Sequence, residues 1–268
     1  MRTALLVLAP TLLFAQSHEL LDSVLWMQTA AEHDAAYLQA YRQARLSLDR
    51  ALKDRRWTAA VEQTGKFKKL PPAIILDIDE TILDNARAQA QDVLDDTHAF
   101  DAARWDGWVQ KAEAGALPGA LSFTQYAASR GVKVFYVTNR TTAQEAVTRQ
   151  NLVRWKFPLD DRLDTVYCSS EKPEWGSDKG TRRKAIAERF RILMLVGDDL
   201  GDFLSDVRQS PEDRRKLIEK YSTYWGERWI VLPNSMYGSW EAALYAFDNS
   251  LSPSERLNRK AAQLKGIK

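Results

Sequence analysis

The sequence predicts an α/β protein in which a parallel sheet is covered by helices on both faces. Three observations carry this expectation. Short apolar runs recur at 73–76, 132–137, 192–196 and 229–232, each reading as a strand buried on both faces. Segments with helical spacing separate them, and strands alternating with helices imply a parallel sheet. Polar or acidic residues follow every run: Asp77 and Asp79, then Thr138-Asn139-Arg140, then Gly197-Asp198-Asp199, then Pro233-Asn234-Ser235. In such sheets ligands bind at the carboxyl ends of the strands, so that edge is the expected site.

The chain of 268 residues has room for one substantial domain and a small accessory one. Its hydrophobic fraction of 45% supports a real core. A net charge of +2, with basic and acidic residues mixed and no long Lys/Arg run, speaks against a nucleic-acid polymer as partner. The nine Trp exceed what a core of this size needs, which points some of them at a binding surface.

Residues 1–16 read as a secretory signal: Met1-Arg2-Thr3, an apolar run from Ala4 to Ala15, and a small residue at its end. The run is too short to anchor in a bilayer, and Pro10 breaks any long helix. Export to the periplasm or outside follows, with a buried N-terminal helix as the alternative. Residues 17–70 form a helical extension, patterned from Glu19 to Leu52, and a polar linker ending at Pro71-Pro72. Residues 71–85 and 118–250 make the core. Residues 86–117, carrying Trp105 and Trp108 and closing before Pro118-Gly119, are expected to overhang the strand ends as a small cap. Residues 251–268 make a C-terminal helical tail. Cys168 is the only cysteine, which excludes an internal disulfide or a Cys-based metal cluster. It is expected to behave as a small buried hydrophobe. His18, His33 and His98 lie outside every motif and receive no role.

The chemistry starts at Asp77-x-Asp79-x-Thr81, directly after the first strand. Two carboxylates there must be hydrogen-bonded, paired or functional, because burying them bare is too costly. Asp77 could attack phosphorus and form an aspartyl-phosphate, while Asp79 protonates the leaving oxygen and later deprotonates water. After the third strand, Gly197-Asp198-Asp199-Leu200-Gly201-Asp202 supplies hard oxygen ligands suited to Mg²⁺. Asp198 is the expected direct ligand, and Asp202 reaches the ion directly or through water. Asp199 reads as the N-cap of the following helix. Lys179 opens a helix and can pin nucleophile and phosphate together as a point charge. Arg182 and Arg183, one turn on, are expected on the solvated face. Thr138 and Asn139 offer a hydroxyl and an amide to a phosphate oxygen, with turn formation as the alternative role for Asn139.

Together these groups resemble the haloacid dehalogenase superfamily, in the order Asp77-x-Asp79-x-Thr81, Thr138, Lys179, Gly197-Asp198-Asp199-x-x-Asp202. The narrower likeness is to the bacterial class C acid phosphatases, the lipoprotein e(P4)-like 5′-nucleotidase group. It rests on Leu76-Asp77-Ile78-Asp79-Glu80-Thr81-Ile82-Leu83-Asp84-Asn85, Trp105-x-x-Trp108-Val109, Phe135-Tyr136-Val137-Thr138-Asn139-Arg140 and Pro233-x-x-Met236-Tyr237-Gly238-x-Trp240-Glu241. The resemblance implies a Rossmann-like core, a small cap, Mg²⁺ dependence and hydrolysis of small phosphomonoesters, nucleoside 5′-monophosphates among them. It implies Asp77 as nucleophile and Asp79 as acid/base, both touching the metal, Asp79 through its backbone carbonyl. Asp198 and Asp202 are the remaining metal acids, and Thr138 and Lys179 the phosphate binders. Trp105 and Tyr237 match the aromatic pair that stacks a base, packing of Trp105 on Trp108 being the alternative.

Two departures accompany the likeness. No lipid-modified cysteine stands near residue 16, so no lipid anchor is expected, and Gly201 stands where another acid is common. A sugar-phosphate phosphatase or phosphotransferase on the same core, a cytosolic phosphatase, and a non-catalytic binding or storage protein remain the rival readings. A homo-oligomer is compatible with all of them.

Overall fold

The computed structural model describes residues 18–266, so the export signal read in residues 1–16 lies outside the described residues. In chain order the elements are α1 (Leu21–Thr29), α2 (Ala31–Lys53), β1 (Pro72–Leu76), β2 (Leu83–Asp84), α3 (Ala86–Leu94), α4 (Ala102–Val109) and β3 (Gly115–Ala116). They continue with α5 (Ala120–Ser129), β4 (Lys133–Thr141), α6 (Glu145–Arg154), β5 (Val166–Ser169), α7 (Gly180–Ala187) and β6 (Arg191–Gly197). The chain closes with α8 (Pro211–Lys220), β7 (Trp229–Val231), α9 (Ser239–Leu244) and α10 (Pro253–Ala261).

The main sheet has five parallel strands in the order β5-β4-β1-β6-β7. Each of the four apolar runs became one of its strands, and the short Val166-Tyr167-Cys168 run became the edge strand β5. β1 lies in the middle, so its carboxyl end opens between those of β4 and β6. Successive side chains of a strand face opposite ways. Ile74 and Leu76 accordingly join the apolar cluster that includes Tyr37, Tyr41 and Leu48 of α2. Ala73 and Ile75 join the opposite cluster, built on Phe190, Phe203 and Trp229. Cys168 is buried within the first of these clusters, where burial pushes its thiol up to about 12. That is an inert thiol, as expected.

The patterned run from Glu19 to Leu52 is two helices rather than one. Ala30 adopts extended backbone between them, and the chain turns there so that α1 packs on α3 while α2 crosses the sheet. The polar stretch after α2 lies along the sheet instead of hanging free. The Ala59 amide donates to Ile192 O at 2.8 Å, and the indoles of Trp57 and Trp229 donate to Leu193 O and Ala59 O, each at 2.8 Å. The insertion 86–117 carries α3 and α4 and returns through β3, which pairs antiparallel with β2. At the C-terminus, Ser252 and Glu255 form a capping box that starts α10.

The expectation for α7 is overturned. Arg182 and Arg183 of α7 do not sit on a solvated face; both are fully buried. The helix packs its polar side inward, where carbonyls and a carboxylate need donors. Arg182 donates to the carbonyls of Thr138 and Gly176 and to Asn139 Oδ1. Arg183 grips Glu62 Oε1 at 2.7 and 2.9 Å and the carbonyls of Gly201 and Asp202 at 2.8 and 3.1 Å. Arg183→Ala would leave the Glu62 carboxylate and two carbonyls without a donor. Urea denaturation should show a loss of about 3–5 kcal/mol, well beyond what an exposed arginine contributes.

Candidate active site

β1 delivers Asp77 one residue past its last strand position, with the Asp77 amide still bonded to Val196 O of β6 at 2.9 Å. The carboxylate is therefore held at the sheet edge and almost fully buried. The chain then turns tightly, with the amides of Ile82 and Leu83 both donating to Ile78 O at 2.9 Å. The turn forces Glu80 to a left-handed φ of +51°. That is a strained state for a residue with a side chain.

β6 ends at Gly197, followed by Asp198. A Cβ on Gly197 would stand only 2.1 Å from Asp202 Oδ2, so only glycine lets Asp202 fold back against the strand end. Asp199 caps the single turn 200–202, accepting from the Gly201 amide at 2.8 Å, and also accepts from Ser239 Oγ at 2.6 Å. Its expected capping role holds. The result brings Asp77, Asp198 and Asp202 together, each with one carboxylate oxygen within 4.8 Å of the others. Lys179, at the start of α7, donates to Asp77 and, at 2.6 Å, to Asp202 Oδ1.

Three acids and one lysine leave this buried cluster short of positive charge. Burial, then the charges of Asp202 and Asp79, push Asp77 up to about 7 against the opposing pull of Lys179. Burial and the neighbouring Asp202 and Asp77 raise Asp198 well above the usual carboxylate range. Burial alone would depress the Lys179 ammonium, but the Asp202 and Asp77 carboxylates outweigh it and hold it above the ordinary lysine value. Hard carboxylate oxygens converging with unneutralised charge fit a divalent cation such as Mg²⁺.

Asp79 is not one of the three. Its carboxylate takes a forked bond from Arg140, with Nη2 at 2.7 Å and Nε at 3.1 Å, and a third bond from Asn85 Nδ2 at 2.9 Å. Asn85 is itself held by the Trp108 indole at 2.8 Å. Asp77 and Asp79 thus face different partners, one a lysine and acids, the other an arginine and an amide. Arg140, Asn85, and Asn234, which donates to Asp198 Oδ2 at 2.9 Å, received no role from the sequence. Their positions just after an apolar run or beside the acids were the only available signal.

The remaining expected residues fall as follows. Thr138 is buried at the end region of β4, its hydroxyl accepting from the Arg140 amide at 3.1 Å. Asn139 spends its amide on Ser177 O at 3.1 Å and on Arg182 at 2.6 Å. It stitches the β4 end to the loop that carries Lys179, which is the turn-forming alternative rather than free phosphate donation. Trp105 is half-buried on α4 with the Arg140 guanidinium 5.7 Å from its ring centre. Tyr237 is half-buried against Met236 and the α1–α3 contact, its hydroxyl buried without a partner. Trp105 and Tyr237 form no direct aromatic pair; Trp105 packs on the apolar cluster that contains Trp108, without ring stacking on that indole.

Two of the three histidines, left without a role by the sequence, meet in the structure. His18, Glu19 and His98 gather at the start of α1, nearly eighty residues apart in sequence. The two imidazoles stack at 4.5 Å with an interplanar angle of 11°. Ring nitrogens coordinate in the plane of the ring, so parallel rings cannot aim both lone pairs at one ion. All four nitrogens are also engaged, with Thr97 O, the Leu20 amide, Glu19 and Asp96. The cluster is a polar clasp that fastens the start of α1 to the loop before α4.

A family model described as HAD superfamily, subfamily IIIB (acid phosphatase), matches residues 12–240. The chain belongs to this acid phosphatase family. The class C acid phosphatase from Bacillus anthracis superposes on it with a TM-score of 0.81 at 35% identity, covering 93% of this chain and 98% of that one. A second structure of that phosphatase, with tungstate bound, gives 0.80 at 34% identity over 93% and 98%. Acid phosphatase 1 of Solanum lycopersicum is 32% identical over 131 residues, 48% of this chain and 51% of that protein. A stem 28 kDa glycoprotein of Glycine max is 30% identical over 113 residues, 41% of this chain and 44% of that one. The chain thus spans about half the length of the curated relatives it matches. The acid phosphatase fold expected from the motifs, a parallel sheet flanked by helices, is the one observed.

The pH dependence of stability follows from the raised carboxyls. Asp77 with a value of about 7, against an ordinary 3.8, binds its proton more tightly in the folded chain than in the unfolded one. The stability this proton contributes is complete below 3.8 and is lost as pH rises through about 7. Asp198 and Glu80 are displaced in the same direction, both chiefly by burial. Thermal melting of metal-free protein should therefore fall as pH rises from about 4 to about 8, and Asp77→Asn should flatten that slope. Melting that rises over the window would contradict the assignment.

Proposed function

We propose that this chain is a Mg²⁺-dependent acid phosphatase that hydrolyses small phosphomonoesters, nucleoside 5′-monophosphates included, through an aspartyl-phosphate on Asp77. The observation that carries this reading is the division of labour at the end of β1. Asp77 is paired with Lys179 beside Asp198 and Asp202, while Asp79 is held apart by Arg140 and Asn85.

The nucleophile must be the carboxylate, and the Lys179 ammonium favours that form against burial. An Asp77 oxygen attacks phosphorus, the bond to the leaving oxygen breaks, and Asp79 gives that oxygen its proton. Water then attacks the phosphorus of the aspartyl-phosphate and passes a proton to Asp79, which releases phosphate and restores the Asp77 carboxylate. Arg140 and Asn85 keep the Asp79 carboxyl in one orientation through both steps. In this reading Lys179 holds a phosphate oxygen beside Asp77, with the Thr138 hydroxyl as a further donor. A divalent cation held by Asp77, the Asp79 backbone carbonyl, Asp198 and Asp202 would supply the charge neutralisation that lets a phosphate dianion approach these acids.

Tungstate is a tetrahedral oxyanion like phosphate, and its presence in the Bacillus anthracis relative supports an oxyanion site in this family. Insertion 86–117 acts in this reading as the cap, with Trp105 and Tyr237 stacking the base of a nucleotide. Export is part of the proposal. It rests on the pattern of residues 1–16 and on two relatives being named glycoproteins; among the described residues no helix is long and apolar enough to cross a membrane.

The test is phosphate release from a panel of nucleotides and sugar phosphates, with and without Mg²⁺. Asp77→Asn should abolish turnover, and wild-type activity in that variant would remove the mechanism. Asp79→Asn should lower kcat by roughly 10²–10⁴-fold. For the base-stacking role, Trp105→Ala and Tyr237→Ala should each weaken nucleotide binding by about 1–3 kcal/mol while leaving sugar phosphates unchanged.

A further inference from the structure

On α2, Tyr37 and Tyr41 are four residues apart and leave the same face of the helix. Both rings are buried, at 0% and 3% exposure, on a helix far in sequence from the acids of the site. Each hydroxyl reaches the strained turn after Asp77. Tyr37 donates to Glu80 O at 2.5 Å and Tyr41 to Thr81 O at 2.6 Å. The Tyr37 hydroxyl is also within 3.2 Å of Pro233 O, in the loop after β7.

Those two loops are the ones that orient Asp198. Thr81 Oγ1 donates to Asp198 Oδ1 at 3.2 Å, and Asn234 Nδ2 donates to Oδ2 at 2.9 Å. Tyr37 therefore bonds the residue immediately before each of these donors, Glu80 before Thr81 and Pro233 before Asn234. Tyr41 bonds the backbone of Thr81 itself. Neither ring is free to shift. Tyr41 lies against Gly119, where a Cβ would come within 3.0 Å of it, and tilts onto Phe123. Tyr37 packs on His33.

We propose that Tyr37 and Tyr41 are positioning residues that set the orientation of Asp198 toward a divalent cation. The inference rests on the reading of Asp198 as a metal-holding acid. A buried carbonyl that loses its donor must relax to find another, and here relaxation would move Thr81 and Asn234. Outer partners of a metal-holding carboxylate fix its lone pairs, and removing them typically weakens metal affinity 10–100-fold. The N-terminal helix thereby becomes part of the metal site without contributing a ligand.

The experiment is calorimetric titration of the metal-free whole chain with Mg²⁺, comparing wild type with Tyr37→Phe, Tyr41→Phe, Tyr126→Phe and Asp198→Asn. Tyr126 is the control, because its hydroxyl tethers α2 through Asp49 at 2.6 Å, away from both loops. Tyr37→Phe and Tyr41→Phe should each weaken Mg²⁺ binding about tenfold, with Tyr126→Phe unchanged. Should Tyr37→Phe not fold, Tyr41→Phe decides alone. Wild-type affinity in the tyrosine variants, alongside loss in Asp198→Asn, would overturn the positioning role and leave the phosphatase reading standing. An equal loss in Tyr126→Phe would also overturn it. Wild-type affinity in Asp198→Asn would overturn the metal site itself, and the inference with it.

Discussion

Three carboxylates share a buried sheet edge with a single lysine, and most of the surrounding structure serves that arrangement. Asp77, Asp198 and Asp202 sit close enough to repel one another, and Lys179 answers only part of their charge. Such a cluster persists only when the backbone over-determines it. Gly197 leaves the space into which Asp202 folds, and Asp199 closes the turn that carries it. Arg183 ties the carbonyls of that turn to α7, the helix that starts beside Lys179. The folded chain thus holds charge that water would stabilise better, the usual relation between a reactive centre and the stability of its scaffold.

The same logic explains why the N-terminal helices are inseparable from the sheet. α2 packs on β6 and β7, and its Tyr37, Tyr41, Ala44 and Leu48 belong to the same apolar cluster as Ile74 and Leu76 of β1. Apolar burial draws the helix there, and its tyrosines then find the carbonyls that the tight turn after Asp77 leaves pointing away from the strands. One helix therefore serves packing and site geometry together. The stretch after it, which reads as a linker by composition, is pinned to β6 by Ala59 and the indole of Trp57.

Asp77 and Asp79 illustrate how two identical side chains acquire different chemistry. They are two residues apart, yet the turn sends one toward Lys179 and the other toward Arg140. Nothing intrinsic to aspartate distinguishes them. The difference lies in which strand end each one meets, β6 and α7 for the first, β4 for the second. With both acids just past the end of the central strand, their different partners follow from topology alone.

Local pattern by itself determined the strands, their parallel order of polar ends, and the acids at the sheet edge, because apolar runs and the abrupt charges after them are properties of adjacent residues. It also marked Lys179 and Thr138, which stand directly after a loop or within a strand end. Only the tertiary structure decided what needs distant partners. Arg182 and Arg183 look like solvated helix residues until the carbonyls of Thr138, Gly201 and Asp202 are brought beneath them. Asn139 looks like a phosphate donor until Ser177 and Arg182 claim its amide. His18 and His98 carry no shared pattern at all, and only the packing of α1 on the 86–117 insertion stacks them. For the two arginines the deciding energy is the cost of leaving a buried donor or acceptor unpaired, and that cost exists only once the chain has folded around it.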